Sequence, residues 1–358
     1  MDKNLQISFS KVYEFFYAMI LAANDITEDD IDKAGEKYTE EINNYKAELT
    51  KNLSSFMKSE LRYFFIGEEN ICTGIGQVIF YNFIHNYPEI EDVMEFIKVI
   101  EDSDPLDISR SILQREYTNI FNRSLCRRDE AAEKYPDLES ILKEYNNLKV
   151  RDSDRRKKHL ECIENPEEVK QRIVILLKGF YDKVFKGILG TIEEIVQNYI
   201  EIYNKELLTD KKSFFRKYTL KDSSVFKKNL RIYLSYSRFL GSDYWTSDMD
   251  DEEFLVIGVY GRGSLDNNND SERIMNFLKT VGDKKRMAII NILKSQPAYV
   301  AEIAERMNMT APTVCYHLTA LQEYDIVDFE RYDHRFYYRL NKDKLKEWFD
   351  KTTGYYLK

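Results

Sequence analysis

Residues 300–327 read VAEIAERMNMTAPTVCYHLTALQEYDIV, and this stretch decides the fold of the C-terminal part of the chain. Apolar residues recur every three or four positions in both of its halves, which predicts two short amphipathic helices over 299–307 and 313–323. Residues 308–310 form a tight turn between them, because the threonine that ends the turn suits the N-cap of the second helix. Pro312 falls in the first turn of that helix, where its missing N–H costs no hydrogen bond.

A further helix is predicted before this pair and two strands after it. Met287, Ile290 and Leu293 have the spacing of a buried helix face. Residues 326–330 and 335–340 alternate like two strands, and basic residues lie near the turn that joins them. This order of elements predicts a winged helix-turn-helix, in which the helix after the turn enters the DNA major groove and its N-terminal residues meet base edges.

Residues 282–293, 300–327 and 335–340 resemble the ArsR/SmtB-type bacterial transcriptional regulators. The likeness covers about a quarter of the chain and is most specific in the T-V-x-x-H-L-x-x-L pattern of 313–321. It implies a homodimer that binds double-stranded operator DNA and is switched by a ligand. It also implies that His317 is a structural or phosphate-facing residue and not a catalytic one.

In that family, the helix before the DNA-binding core and the helix after the wing usually form the dimer interface. The resemblance places these helices at 271–281 and 343–351 in this chain. The implied interface residues are apolar side chains of the two helices: Ile274, Phe277, Leu278, Leu345, Trp348 and Phe349.

The family's metal-sensing members carry paired cysteines where this chain has Tyr299-Val-Ala-Glu302, and His and acidic ligands on the last helix, which here has no His. Zinc, cadmium and arsenic sites require thiolate or imidazole ligands, so we expect no metal site and no cofactor. The cysteines form no C-x-x-C pair, and we interpret them as reduced thiols. The four are Cys72, Cys126, Cys162 and Cys315.

Two sets of residues are candidates for DNA contact. The first lies at the start of the helix after the turn, where methyl, hydroxyl and phenol groups can meet bases but none can make the bidentate Arg–guanine pair. Its members are Thr310, Ala311, Pro312, Thr313, Tyr316 and His317. The second set consists of basic residues, before the first helix and on the wing, that suit phosphates. Its members are Lys284, Lys285, Arg286, Arg331, His334 and Arg335.

The N-terminal part of the chain shows helical spacing almost throughout. Apolar steps over 31–49 and 176–203 predict two long helices, and Gly187 and Gly190 in the second predict a bend or a close helix contact. One strand is predicted over 253–260. Shorter helices are predicted over 11–23, 75–86, 89–101, 109–122 and 223–240.

The best domain boundary is the polar, turn-prone stretch 265–270. We predict a helical sensing or dimerisation domain over 1–264, a linker over 265–270 and a winged helix-turn-helix DNA-binding domain over 271–358. The fold class is therefore mainly α, a large helical N-terminal domain followed by a C-terminal winged helix-turn-helix with a two-stranded wing. The 13 Gly and 6 Pro are few for 358 residues, which agrees with long helices.

The net charge of −9 argues mildly against a nucleic-acid partner when it is taken for the whole chain. Residues 271–358, however, carry 15 Lys and Arg against 12 Asp and Glu, a net charge of +3, whereas residues 1–270 carry a net charge of −12. The acidic surplus therefore belongs to the part that is not expected to touch DNA.

Composition also restricts the other functional classes. The longest apolar run, 15–23, is about half of what a bilayer-spanning helix needs, and no signal-peptide pattern opens the chain. We expect a soluble cytoplasmic protein with no membrane partner. His85 and His159 are the two histidines of residues 1–270, and no nucleophile-and-base motif accompanies them, so we expect no enzyme.

Two functions remain open. The leading prediction is a sequence-specific DNA-binding transcriptional regulator of the ArsR type, a homodimer whose operator binding is modulated by a ligand or partner at the N-terminal domain. An aromatic-lined pocket within 1–260 would suit such an effector. The alternative is a protein–protein adaptor that uses the winged helix as an interaction module, which the low charge of the helix after the turn permits.

Overall fold

The computed structural model divides into two compact units, Met1–Gly263 and Ser264–Lys358. Helices predominate, and the second unit combines helices with a small antiparallel sheet. The predicted fold class, mainly α with a C-terminal winged helix-turn-helix, is confirmed. The structure describes residues 5–24, 36–66, 74–121, 125–126, 130–150, 152–219, 226, 229–246, 252–261, 270–332 and 335–357.

The first unit is built mainly from helices. Its helices are α1 (Lys11–Ala23), α2 (Glu36–Thr50), α3 (Ser55–Phe65), α4 (Ile75–Asn86), α5 (Val93–Asp102), α6 (Leu106–Phe121), α7 (Ala131–Lys134), α8 (Leu138–Asn147), α9 (Ser153–Glu164), α10 (Pro166–Phe180), α11 (Lys186–Thr209) and α12 (Lys211–Thr219). A π-helical turn, Tyr181–Phe185, connects α10 to α11. Helices predicted over 11–23 and 75–86 are confirmed with the same bounds.

Helix α1 lies at the centre of the larger hydrophobic core. Ser10 caps its N-terminus by accepting a hydrogen bond from the backbone N–H of Tyr13. Its apolar run, 15–23, is buried on nearly every side, and Phe15 and Phe16 are fully inaccessible to solvent. A helix that is hydrophobic all round must be enclosed in this way.

None of the described helices has the length and apolar character needed to cross a membrane.

A four-stranded sheet completes the first unit. Its strands are β1 (Ile7–Ser8), β2 (Asn229–Ser235), β3 (Ser242–Thr246) and β4 (Glu252–Gly258), in the order β1-β2-β4-β3. The β1–β2 and β2–β4 pairs are parallel, and β3–β4 is antiparallel. Val256 faces the core around α1, whereas Leu255 and Ile257 face a second core against α11 and α12. Burial on both faces explains the continuous apolar run of β4.

One prediction for this unit is wrong, and another is narrowed to one of its two alternatives. The helix predicted over 223–240 is replaced by β2, because Leu230, Ile232 and Leu234 alternate along a strand that pairs with β4. Of the two alternatives predicted at Gly187 and Gly190, a bend or a close helix contact, the contact is not found among the described residues, because a Cβ placed on either glycine has no heavy atom of another element within 4 Å. The strand predicted over 253–260 is confirmed as β4, which ends two residues earlier.

The second unit contains a winged helix. Its elements are α13 (Asp270–Gly282), α14 (Lys284–Ser295), β5 (Ala298–Tyr299), α15 (Val300–Met307), α16 (Ala311–Gln322), β6 (Val327–Tyr332), β7 (Arg335–Leu340) and α17 (Lys342–Tyr356). The sheet has the order β5-β7-β6 and is antiparallel. The predicted two-stranded wing therefore gains a third, two-residue strand from the segment before α15.

Packing in the second unit follows the predicted helix faces with one exception. Val314, Leu318 and Leu321 of α16 are buried as predicted. In α14, Met287 is 39% exposed, and the neighbouring Ile289 is buried in its place. Ile289 lies two positions after Met287, and Ile290 and Leu293 are buried as predicted.

Candidate nucleic-acid interface

The turn between α15 and α16 is fixed by backbone geometry. Asn308 adopts a left-handed conformation, with φ of 50°, which ends α15. Asparagine tolerates this conformation better than most residues. The backbone N–H of Met309 then donates to the carbonyl of Ala304 at 2.9 Å. Thr310 follows as the predicted N-cap of α16, and Pro312 lies in the first turn.

The exposed face of α16 is a row of small and aromatic side chains. Ala311 and Pro312 are exposed at the start of the helix, and Tyr316 is 63% exposed one turn later. Cys315 and Thr319 are also exposed. Spacings of four residues place Ala311, Cys315 and Thr319 in one line along the helix, beside Pro312 and Tyr316. We call these five residues the α16 face.

Sequence reasoning identified only part of this face. It included Ala311, Pro312 and Tyr316 but missed Cys315 and Thr319, although their spacing from Ala311 was visible. Thr313, a predicted contact, is only partly exposed because it lies between the α16 face and the core.

The threonine hydroxyls near the face are engaged within the helix itself. Thr310 Oγ1 and Thr313 Oγ1 are hydrogen-bonded at 2.7 Å, and Thr310 Oγ1 also accepts the backbone N–H of Thr313. The Thr319 hydroxyl donates to the carbonyl oxygen of Cys315 at 3.0 Å. These bonds use two of the three threonine hydroxyl hydrogens, so the three side chains keep one O–H donor besides their methyl groups.

His317 is buried beneath the α16 face. Its Nδ1 lies 4.0 Å from Oδ1 of Asp283, and its ring meets that of Tyr316 edge-on. Burial lowers the pKa of His317 despite the opposing effect of Asp283, so the imidazole is neutral near pH 7. The structure therefore places His317 as a packing residue between α16 and the start of α14.

Asp283 organises the N-terminus of α14. Its carboxylate accepts the backbone N–H groups of Lys285 and Arg286 at 3.0 and 2.9 Å, as an N-cap. The bond from the Arg286 amide is the largest cause that lowers the pKa of Asp283. Lys284 and Lys285 point into solvent, whereas Arg286 is partly buried beside Asp283.

The wing carries the remaining basic candidates. Tyr332 pairs with Arg335 across the hairpin, and Arg331 pairs with Phe336. Both arginines therefore lie on strands beside the hairpin turn; their side chains, and His334 altogether, lie outside the described residues. Arg306 at the end of α15 is an exposed cation that sequence reasoning did not include.

Comparison with known proteins bears directly on this geometry. Residues 283–328 match the model of the bacterial regulatory protein, arsR family. The second unit carries an ArsR-type helix-turn-helix. The transcriptional repressor SdpR of Bacillus subtilis (strain 168) is 29% identical over 72 residues, which make up 20% of this chain and 80% of that repressor. These similarities support a DNA-binding regulator. No solved structure matches the chain.

The helices that flank the ArsR-type helix-turn-helix pack against each other within one chain. The ring of Phe277 in α13 stacks on Trp348 in α17, with centroids 5.3 Å apart, and Trp348 Nε1 donates to the carbonyl of Tyr324 at 3.0 Å. Ile274, Phe277 and Trp348 are buried in the single chain. Within one chain these three side chains therefore pack into the core of the unit, and the exposed apolar surface of the two helices lies at other positions.

The other three predicted dimer residues keep some exposure. Leu278 is 36% exposed, Phe349 is 43% exposed, and Leu345 is partly buried. Met275, one turn before Leu278, is also exposed. Apolar side chains at the surface of both flanking helices are consistent with an interface.

No group of three or more His, Cys, Asp or Glu side chains that could hold a metal ion occurs in the part of the chain that the structure describes.

The first unit contains an open groove of about 410 Å³ near the carboxyl ends of β2 and β4. Both Tyr236 and Tyr260 donate hydrogen bonds to Oε1 of Glu41, at 2.9 and 2.5 Å. Below the groove, the fully buried carboxylate of Glu14 accepts the backbone N–H groups of Tyr236 and Ser237. The carboxyl ends of parallel strands are a common place for ligands. The groove is lined by Glu40, Glu41, Asn44, Tyr45 and Tyr236.

Proposed function

We propose that the protein is a sequence-specific transcriptional regulator of the ArsR type, a homodimer whose operator binding is modulated by a ligand or partner at its N-terminal domain. The proposal assigns sensing to residues 1–264 and DNA binding to residues 271–358. The observation that carries it is the exposed α16 face within an ArsR-type helix-turn-helix. In this motif the N-terminal residues of the helix after the turn meet base edges.

The proposed contacts divide into positioning and reading groups. Lys284 and Lys285 contact phosphates from the start of α14, and Arg331, Arg335 and His334 do so from the wing. The α16 face, together with Thr310 and Thr313, meets base edges in the major groove. His317 supports this arrangement from below, because its burial between α16 and Asp283 keeps the reading helix in place.

The regulatory mechanism follows from the spacing of two half-sites. A homodimer must present its two α16 faces about 34 Å apart to enter successive major grooves. An effector that binds better to a form with another spacing shifts the population away from the DNA-binding form. The effector therefore needs no contact with DNA.

A gel-shift experiment with duplexes from the protein's own promoter region tests DNA binding. Tyr316→Ala together with Arg331→Ala is expected to raise the Kd for specific DNA by roughly tenfold or more, because one base contact and one phosphate contact are lost. Tyr356→Ala is a matched control, since Tyr356 is an exposed tyrosine at the C-terminal end of α17. Unchanged specific binding by the double variant would refute the proposed site.

The proposed dimer is tested by sedimentation of the full chain. Leu278→Asp and Phe349→Asp place a charge on the exposed part of α13 and α17. We expect each to shift the protein toward monomer and to weaken operator binding, because one half-site alone gives low affinity. Leu208→Asp is the control, since Leu208 is an exposed apolar residue of α11. Dimers that persist in both variants would place the interface elsewhere.

One observation favours the alternative adaptor function. The helix α16 carries no Lys, Arg, Asp or Glu, whereas reading helices often use such groups. Salt dependence separates the two functions, because phosphate contacts release counterions and make DNA binding fall steeply as salt rises. Failure to bind any duplex even at low salt would favour the adaptor.

The groove beside Glu41 is the proposed effector site. Carboxylates and tyrosine rings suit a small organic cation, through ion pairing and cation–π contact. Spermidine is a suitable probe, and its binding should raise the thermal unfolding temperature of the full chain. We expect Glu41→Gln to reduce that rise and Glu193→Gln, at an exposed position of α11, to leave it unchanged. Absence of any rise in the wild-type protein would exclude a polyamine at this groove.

A further inference from the structure

The α16 face lacks the groups that proteins use to recognise three of the four bases. Guanine is read mainly by Arg or Lys, adenine by Asn or Gln, and cytosine by Glu or Asp. None of these residue types occurs in 311–321, and the amide side chain of the helix, Gln322, is its last residue. It is therefore distant from the N-terminal turns that approach bases.

The threonine hydroxyls around the face do not distinguish one base from another, because a hydroxyl can donate to or accept from several bases. Thr310 and Thr313 bond to each other, and Thr319 bonds to the carbonyl of Cys315. One hydroxyl of the Thr310–Thr313 pair and the hydroxyl of Tyr316 remain as donors. The other exposed groups of the α16 face are the methyl group of Ala311, the ring of Pro312, the thiol of Cys315 and the ring of Tyr316.

Thymine is the base that this chemistry fits. In the major groove it presents a C5-methyl group, which apolar side chains such as Ala, Thr and aromatic rings contact. We propose that the α16 face reads thymine C5-methyl groups, so that the half-site under α16 is rich in T·A pairs. This inference rests on the proposed function, because it names the DNA that the same site would bind.

Chemical substitution of the operator tests the inference at the level of one methyl group. Selection from random duplexes with the full chain first defines a half-site. Each thymine is then replaced by deoxyuridine, which lacks only the methyl group. At each contacted position we expect the Kd to rise roughly fourfold, the effect of exposing one buried methyl group. Deoxyuridine outside the half-site is the control and should leave the Kd unchanged.

A second substitution distinguishes the effect of the methyl group on the Kd from the effect of DNA shape. A C·G pair at a contacted position should bind worse than the same pair carrying 5-methylcytosine, because the latter restores a methyl group at C5. In Tyr316→Ala, deoxyuridine should become neutral at the thymine that Tyr316 contacts. Tyr356→Ala should keep the full deoxyuridine effect, because Tyr356 lies outside the reading helix.

The outcomes distinguish this inference from the proposed function. Deoxyuridine sensitivity that disappears in Tyr316→Ala supports methyl readout. A protein that binds its selected duplex but tolerates deoxyuridine throughout the half-site refutes methyl readout and leaves DNA binding intact. A protein that selects no duplex refutes both.

Discussion

At the scale of single residues, burial decides the roles of the histidines. His317, for which the resemblance implied a structural or phosphate-facing role, is buried on the inner side of α16, and burial lowers its pKa. Sequence could indicate its position in the T-V-x-x-H-L pattern but not its burial, because burial depends on the angle at which α14 meets α16.

Removing the N-cap of α14 should destabilise the second unit. Asp283→Ala deletes the acceptor of two backbone N–H groups and is expected to lower the free energy of unfolding by about 1 kcal/mol. Asp343→Ala is the matched control, since Asp343 is exposed in the first turn of α17, which Asn341 caps. Thermal unfolding of both variants provides the measurement. Equal stability of the two variants would contradict the capping role.

A buried histidine should make the first unit sensitive to acid. Burial lowers the pKa of His159 to about 3, with Nδ1 3.1 Å from the Tyr145 hydroxyl. Between pH 6.5 and about 3 the unfolded chain therefore binds a proton that the folded chain does not. Stability should fall with pH across this window, by at most about 1.4 kcal/mol per pH unit for this group.

His159→Gln tests this dependence, because glutamine can keep a hydrogen bond to Tyr145 without titrating. We expect the variant to lose stability less steeply than the wild-type protein as the pH falls below 6.5. Urea unfolding at several pH values gives the pH dependence of stability for both proteins, and the difference between the two slopes is the effect of the substitution. Parallel curves would show that His159 does not titrate on unfolding.

At the scale of elements, local signals were sufficient for the winged helix but not for the first unit's sheet. The turn at Asn308, the N-cap Thr310 and the apolar spacing are all local, and they predicted α15 and α16 closely. Strand β2 depends on partners that are distant in sequence, since Ile232 pairs with Ile7 and Leu255. Periodicity within 223–240 could not reveal those partners.

Replacing glycine by alanine should have opposite effects on stability at two positions in the first unit. A Cβ at Gly258 would lie 2.3 Å from the carbonyl oxygen of Phe239, so Gly258→Ala must displace backbone and should destabilise the fold. Gly187 lies exposed in α11 with no heavy atom within 4 Å of a Cβ. Gly187→Ala should stabilise the protein by about 1 kcal/mol, because alanine has the higher helix propensity. Unfolding temperatures that move in the same direction would contradict this packing.

At the scale of the whole molecule, charge is divided between the two parts of the chain. Residues 1–270 carry a net charge of −12 and residues 271–358 a net charge of +3. The net charge of the proposed DNA-binding domain therefore adds little to its affinity for DNA. Affinity should then depend on simultaneous contact with two half-sites more than on phosphate neutralisation. Under the proposed function, each exposed cation proposed to contact a phosphate then becomes individually important for affinity.

Lys284 and Lys285 should account for a measurable part of the salt dependence. Each phosphate contact contributes about 1 to the slope of log Kd against log salt concentration, so Lys284→Ala with Lys285→Ala should reduce the slope by about 2. Lys342→Ala with Lys346→Ala is the matched control, because both lysines are exposed on α17. Kd values for the selected duplex over a series of salt concentrations give the slopes. If the slope fell only in the control variant, the phosphate contacts would lie on α17 and not at the start of α14. The DNA would then have to cross the winged helix in a different direction.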